Sequence, residues 1–149
     1  CDSRARTPLD SRLIQSAGEV PTIIAAAGWN ERAAALEKAG AQILLCGERD
    51  GRVDLRELMR QLGARGVDSI LLEGGGTLNW AALECGIVQQ VQAYIAPKLF
   101  GGRDAKTPVE GVGVPAPTNA FRLKNSRLER LGEDLLIESE VEYPCSQES

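Results

Sequence analysis

Histidine is absent from the 149-residue sequence. It is the side chain whose ordinary pKa lies closest to neutral pH, and it is the usual general base of Ser/His and Cys/His catalytic pairs. Those pairs are therefore excluded within these residues, and so is any metal site with a histidine ligand. Aromatic residues are also scarce, at 4%, so the core must consist mostly of leucine, isoleucine, valine and alanine.

Cysteine is present but not in the spacing of a zinc site. No two of the four form a C-x-x-C pair, which argues against a structural zinc site. We therefore predict no metal ligands. The four are Cys1, Cys46, Cys85 and Cys145. Cys46 and Cys85 stand in apolar surroundings, which favours reduced thiols in the core. Since we find neither a signal peptide nor an apolar run that could span a bilayer, we expect a cytoplasmic protein that does not enter a membrane.

Basic charge is in short supply. The formal net charge is −4 at pH 7, whereas a surface for nucleic acid or for an anionic membrane needs a basic face. We therefore expect neither partner. One segment is locally basic, with Arg4, Arg6 and Arg12 close together, and its simplest interpretation is a solvated loop.

Short apolar runs alternate with helical patterns over the first half of the chain. Strands are predicted at 21–27, 41–46 and 69–73, and helices at 31–38, 55–62 and about 77–84. Asn30 and Asp54 are the predicted N-caps of the first two helices, and 47–51 is a polar loop. Continuous apolar strands between helices predict a mostly parallel sheet that is covered on both faces.

The pattern changes after Gly86. A strand is predicted at 88–96, then a long loop at 97–118 that is rich in glycine and proline, then two strands at 120–131 and 135–143 around a turn at 132–134. The tail from residue 144 is polar. A loop of this length in a compact domain is usually functional or mobile. The fold class is therefore α/β with a mixed sheet that is parallel first and antiparallel at the end.

Three consecutive glycines, Gly74, Gly75 and Gly76, follow the predicted strand 69–73. Thr77 is predicted to cap the next helix. Amide N–H groups at such a turn are unpaired and the helix dipole adds positive potential, so a phosphate can bind there. Glu73 ends the strand, where α/β sheets bind ligands. The Rossmann fingerprint G-x-G-x-x-G is not met, and the alternative is an ordinary tight turn beside a solvated acid.

These residues resemble a known family. The run L-L-E-G-G-G-T-L-N-W-A-A-L at 71–83, followed by Y-I-A-P-K-L-F-G-G at 94–102, is similar to the reductase domain of the bifunctional riboflavin-biosynthesis deaminase/reductase. The opening D-S-R-A-R-T-P-L resembles that family's segment after a core strand. The resemblance implies a dihydrofolate-reductase-like fold. Because the family's domain begins earlier, we expect residues 1–149 to be a single, N-terminally truncated domain that lacks its first elements and is inactive alone.

The resemblance also implies a function. The family reduces 5-amino-6-(5-phosphoribosylamino)uracil to its ribitylamino counterpart, with NADPH as hydride donor. Glu73 would contact this small-molecule substrate. The residues implied for the cofactor's pyrophosphate are Gly74, Gly75, Gly76, Thr77, Leu78 and Asn79, and those for its adenosine end and 2′-phosphate are Ser3, Arg4 and Arg6. No catalytic proton donor is assigned.

Two alternatives remain open at this stage. One is a pterin or dihydrofolate-type reductase of the same fold, against which the A-P-K-L-F-G-G run argues. The other is a non-catalytic nucleotide-binding or dimerisation module, which would not prefer NADPH over NADH. We expect a homodimer whose shared sheet involves apolar residues of the last two strands. Those residues are Leu128, Leu136, Val141 and Tyr143.

Overall fold

The computed structural model describes residues 1–144, and the chain divides into two compact units. The first unit is Cys1–Ile70, and the second begins at Leu71. Each has its own strands and helices. The interpretation of the whole as one domain stays a prediction, and the predicted polar tail beyond residue 144 lies outside the described residues.

The first unit contains a pair of parallel strands and three helices. Its elements are α1 Arg12–Gln15, β1 Ile23–Ala26, α2 Glu31–Lys38, β2 Gln42–Leu45, β3 Glu48–Arg49, β4 Arg52–Val53 and α3 Leu55–Gly63. β1 and β2 run parallel, with Ile23 opposite Gln42. The strands predicted at 21–27 and 41–46 and the helices predicted at 31–38 and 55–62 are confirmed. A small β3–β4 hairpin occupies the region predicted as a polar loop, and α1 was not predicted.

Local capping explains why the two longer helices begin where the sequence predicts. The Asn30 side chain accepts a hydrogen bond from the Ala33 N–H at 2.9 Å. Asp54 Oδ1 accepts from the N–H groups of Arg56 at 2.9 Å and Glu57 at 3.2 Å. Each cap satisfies N–H groups that lack an intrahelical partner. Both predicted N-caps are confirmed.

Aliphatic side chains form the core of the first unit. Leu36 of α2 is only 1% exposed, and it belongs to one buried cluster with Ile24 of β1 and Ile14 of α1. Cys46 is buried, and its thiol contacts the Leu44 carbonyl oxygen at 3.6 Å. Burial raises the pKa of this thiol, which keeps it protonated and unreactive. Cys85, in contrast, is only partly buried.

The second unit contains one helix and an antiparallel sheet. Its elements are α4 Gly76–Glu84, β5 Gln90–Ile95, a short 3₁₀ turn Pro117–Asn119, β6 Arg122–Leu131 and β7 Asp134–Glu142. β7 is the central strand, with β5 and β6 on its two sides. The predicted antiparallel end is confirmed. Residues 96–116 form neither helix nor strand, as predicted for the long loop.

The predicted strand at 69–73 is wrong. These residues belong to none of the ladders among residues 1–144. Ile70, Leu71 and Leu72 remain 48%, 73% and 40% exposed. An apolar run becomes a strand only when a neighbouring backbone supplies hydrogen bonds, and β2 pairs only with β1. The parallel sheet of the first unit therefore has two strands rather than the predicted three, and the parallel and antiparallel strands form separate sheets.

Aromatic side chains join α4 to the sheet of the second unit. The rings of Trp80 and Phe121 meet edge to face with centroids 5.9 Å apart, and Phe121 meets Tyr143 in the same way at 5.5 Å. The Tyr143 hydroxyl donates to the Val88 carbonyl at 2.8 Å and accepts from its N–H at 2.9 Å.

α3 and α4, at nine residues each, fall well short of the roughly 20 residues of a bilayer-spanning helix. In the described part of the chain no helix could cross a membrane.

Candidate functional site

Helix α4 begins directly on the glycine turn. Gly75 is its N-cap, and the Gly75 carbonyl accepts from the N–H groups of Leu78 at 2.9 Å and Asn79 at 3.1 Å. The prediction that Thr77 is the cap is wrong, because the first turn already closes on Gly75. No side chain caps the helix. Its first amide groups therefore face away from the helix without an intrahelical partner, which is the arrangement that favours an anion.

A segment of the long loop lies across this helix start. We call residues 107–111 the strap. The Glu110 N–H donates to the Gly76 carbonyl at 3.1 Å. The Thr77 hydroxyl donates to Glu110 Oε2 at 3.0 Å, and Asn79 Nδ2 donates to the Pro108 carbonyl at 2.8 Å. One side chain and two backbone groups of the strap are thus held by the first turn of α4.

Two glycines make this close approach possible. A side-chain carbon on Gly76 would lie 2.5 Å from Cγ of Glu110 and 2.7 Å from the Thr107 carbonyl oxygen. A side-chain carbon on Gly111 would overlap the indole ring of Trp80. Gly111 also has a φ of +97°, which L side chains rarely adopt. The strap and α4 can therefore pack this closely only because positions 76 and 111 carry no side chain.

Asn79 has one polar atom left over. Its Nδ2 also reaches the Gly74 carbonyl at 3.4 Å, but its Oδ1 is buried and accepts no hydrogen bond from any residue the structure describes. Buried acceptors are normally satisfied. A donor from a bound molecule, such as a hydroxyl or amide, would satisfy this atom. The glycine turn and Asn79 therefore fit a polar, anionic ligand.

Glu73 precedes the glycine turn and is exposed to solvent. It lies in the second unit with Gly74, Leu78 and the strap. An ionised carboxylate offers two oxygens that only accept hydrogen bonds. Its exposure leaves both oxygens accessible to a substrate.

The other predicted site residues belong to a structured turn at the start of the first unit. The Asp2 N–H donates to the Ala25 carbonyl at 2.8 Å, and the Ala27 N–H donates to the Ser3 carbonyl at 3.2 Å, so the turn is anchored to β1. Ser3 Oγ accepts from the Val53 N–H at 3.0 Å. Ser3 therefore has a structural hydrogen bond as well as its predicted cofactor role.

Arg4 and Arg6 lie on either side of a buried alanine in this turn. Ala5 is 1% exposed and has a φ of +53°, whereas both arginines are exposed. The turn thus directs one residue inward and two guanidinium groups outward. Arginine forks match phosphate geometry, so this pair suits an anionic group.

The Asp2 carboxylate holds the turn closed. It accepts hydrogen bonds from the Thr7 N–H at 2.6 Å and from the Thr7 hydroxyl at 2.7 Å. Burial by itself would raise the pKa of Asp2, but hydrogen bonds from Thr7 and from the backbone of Arg4 and Arg6 together lower it below its usual value. The charged form is therefore favoured in the folded protein.

We expect Asp2→Asn to lower the free energy of unfolding by about 1 kcal/mol at pH 7, since the amide accepts fewer and weaker hydrogen bonds than the carboxylate. Because the folded pKa is lowered, the contribution of Asp2 is complete above its unfolded value of about 3.9 and is lost as pH falls through the folded value. Urea unfolding between pH 7 and acid pH measures this. Asp10→Asn, at an exposed position of the same unit, is the control. A difference between wild type and Asp2→Asn that stays constant with pH would contradict the assignment.

The structure brings some of the predicted residues together and leaves others apart in sequence and unit. Glu73, the glycine turn, Leu78 and Asn79 are contiguous in the second unit, and Ser3, Arg4 and Arg6 belong to the first. That both groups bind one cofactor stays a prediction. Sequence reasoning missed Glu110 and Trp80. The glycine-rich character of the long loop was the only signal, and it did not identify which residues contact α4.

Comparisons with known proteins show which family this chain resembles. The family model described as the RibD C-terminal domain matches residues 1–137. A riboflavin biosynthesis protein RibD from Actinobacillus pleuropneumoniae is 46% identical over 97% of this chain. A 2,5-diamino-6-ribosylamino-4(3H)-pyrimidinone 5′-phosphate reductase from Methanothermobacter thermautotrophicus is 42% identical over 94% of it. The chain spans 39% and 63% of the length of these two relatives.

Solved structures share the fold at low sequence identity. One form of RibD from Acinetobacter baumannii has a TM-score of 0.75 at 21% identity, over 95% of this chain and 36% of that one. A pyrimidine reductase-like protein from Corynebacterium diphtheriae has a TM-score of 0.71 at 19% identity, over 95% of this chain and 59% of that one. The predicted α/β fold class is confirmed. Since the family model covers all but the last part of the sequence, the chain belongs to the RibD C-terminal domain family.

Proposed function

We propose that this chain is part of an NADPH-dependent reductase of riboflavin biosynthesis. Its reaction is the reduction of 5-amino-6-(5-phosphoribosylamino)uracil to the ribitylamino product. The observation that carries the proposal is the family match over residues 1–137. This range includes both the glycine turn and the turn with Arg4 and Arg6, which we call the arginine turn. Relatives named as RibD and as a pyrimidinone 5′-phosphate reductase support the same class of substrate, and they favour this reading over a pterin reductase.

The residues present fit a dinucleotide cofactor. The start of α4 offers unpaired amide groups beside glycines, and Asn79 Oδ1 needs a donor. A carboxylate, Glu110, already lies against this helix end, which supports the view that negative charge is favoured there. We assign the pyrophosphate to this turn, the 2′-phosphate to Arg4 and Arg6, and the adenosine end of the cofactor to Ser3.

NADPH, when bound, supplies the hydride. What the chain must do is hold the substrate near it. The proposal gives this role to Glu73, whose carboxylate would accept hydrogen bonds from N–H or hydroxyl groups of the pyrimidine substrate. None of the residues described is assigned as a proton donor.

A homodimer and a cytoplasmic location are part of the proposal. β6 is an edge strand whose ten residues are all exposed, and Leu128 on it is 67% exposed. Of the other predicted interface residues, Leu136 is buried and Tyr143 packs on Phe121, whereas Val141 is half-buried on β7. Support for a shared interface therefore rests on Leu128 and its neighbours on β6.

The test uses the longest natural chain that contains these residues. Loss of NADPH absorbance in the presence of the phosphoribosylaminopyrimidine is the assay, with NADH as the comparison. We expect Glu73→Gln to raise the KM for the pyrimidine by about tenfold, as loss of a charge-assisted hydrogen bond implies, and to leave the Kd for NADPH unchanged.

The matched control is Glu84→Gln, which removes the same charge from an exposed residue at the other end of α4. It should change neither constant. An equal loss in substrate and cofactor binding for Glu73→Gln would contradict its assignment. Failure to oxidise NADPH with this substrate, combined with turnover of a dihydropterin, would replace the proposed function with the pterin alternative.

A further inference from the structure

The strap and the predicted pyrophosphate use the same surface. Glu110 is held at the start of α4 by its own N–H, which donates to the Gly76 carbonyl, and by its carboxylate, which accepts from the Thr77 hydroxyl. The carbon chain of Glu110 lies so close to Gly76 that even a methyl group there would collide with it. The strap therefore fills the space directly over Gly76 at the first turn of the helix.

Charge makes the competition specific. A helix N-terminus carries roughly half a positive charge, and its few unpaired amide groups can satisfy one anion at a time. Glu110 brings one negative charge to this end of α4, and a pyrophosphate would bring another. Two anions at one helix end would repel each other, so only one of them can remain.

We propose that the strap is an intramolecular competitor for the cofactor, in which the Glu110 carboxylate takes the place of the pyrophosphate at the start of α4 until a dinucleotide displaces it. This inference rests on the proposed function, since it takes the dinucleotide as the displacing ligand. It goes beyond that function because it assigns a gating role to a residue outside the predicted site.

The strap can detach from the start of α4 without disrupting a helix or a strand. It has neither helix nor strand, and Thr107, Glu110 and Gly111 are all exposed. Val109 remains 43% exposed, so apart from the contact of Gly111 with Trp80 little apolar surface holds the segment in place. Segments with few buried apolar contacts open at low free-energy cost. The hydrogen bonds that hold the strap are also ones that water or a ligand can replace.

The test compares Glu110→Gln with wild type in the longest natural chain that contains these residues. Glutamine keeps the length of the side chain and the backbone hydrogen bond, but it removes the charge. We expect NADPH, measured by calorimetry, to bind about threefold to tenfold more tightly, the range that a helix-terminus charge implies. The gain should shrink as salt is raised, because the competition is electrostatic. Asp104→Asn, an exposed acid of the same loop, should leave affinity unchanged.

Hydrogen–deuterium exchange gives the second readout. Peptides that cover 107–111 should exchange faster when NADPH binds wild type, and faster in Glu110→Gln even without NADPH. If NADPH binds with the same affinity to both proteins, or protects the strap from exchange, the competitor role is overturned and the cofactor site stands. If neither protein binds NADPH, the proposed function fails and the inference fails with it.

Discussion

Replacing Gly111 with alanine is expected to lower the free energy of unfolding by about 2–4 kcal/mol, the sum of a strained backbone and an overpacked contact. At a φ of +97° an L side chain is strained wherever it points. At this position it would also overlap the Trp80 ring, which is 9% exposed and packs on Phe121. The protein must therefore either move Trp80 or release the strap.

Urea unfolding and hydrogen–deuterium exchange distinguish these two responses. Release of the strap would speed exchange in 107–111 and leave the rest of the second unit protected. Movement of Trp80 would speed exchange in α4 as well. Gly113→Ala is the matched control, since Gly113 has a φ of +69° but no atom within 4 Å of the added carbon. It should cost about 1–2 kcal/mol, from backbone strain alone. Equal losses in the two variants would mean that the contact with Trp80 has no energetic role.

Replacing Gly75 with aspartate is expected to reduce NADPH affinity by about thirtyfold, which corresponds to about 2 kcal/mol, without harming the fold. Gly75 is the N-cap of α4 with a φ of −76°, and an added carbon there would meet nothing within 4 Å. Aspartate is a better N-cap than glycine by a few tenths of a kcal/mol, but its carboxylate would repel Glu110 at the same helix end, so the net change in stability should be small. Its carboxylate would occupy the amide groups that the proposal assigns to a phosphate.

Gly75→Ser is the control for this variant. Serine caps a helix about as well as aspartate but carries no charge, so it should change NADPH affinity by less than about threefold. Calorimetry gives the affinities, and thermal unfolding gives the stability. An equal loss in the serine variant would point to crowding rather than charge. Unchanged affinity in the aspartate variant would mean that the diphosphate binds elsewhere.

Local signals predicted what local interactions determine. The caps at Asn30 and Asp54 use side chains two or three residues from their partners, so the sequence around each contains all that is needed. The antiparallel strands β6 and β7 are joined by a two-residue turn at Gly132, and alternation with a turn residue predicts such a pair. Asp50–Gly51 is likewise a hairpin signal, and it explains why a hairpin forms where composition alone predicts a polar loop.

Long-range contacts could not be predicted in this way. The prediction of a strand at 69–73 is wrong because strand formation depends on a neighbouring backbone, which an apolar run cannot specify. The strap was missed because Thr77 and Glu110 are 33 residues apart, and their contact depends on the path of a loop without periodicity. The family resemblance correctly predicted the fold class, but it too said nothing of Glu110. Glu110 of the long loop is therefore the part of the candidate site that sequence patterns do not predict.

In the arginine turn, the fold constrains Ala5 but leaves the side chains of Arg4 and Arg6 unconstrained. Because this residue is buried with a φ of +53°, glycine is the only replacement that the position tolerates without strain or overpacking. Its two neighbours face water and carry no such restriction. A mutant library that fixes position 5 and randomises positions 4 and 6 would therefore sample the charge and length of these two side chains on an unchanged backbone. Nicotinamide cofactor preference could then be selected independently of folding yield.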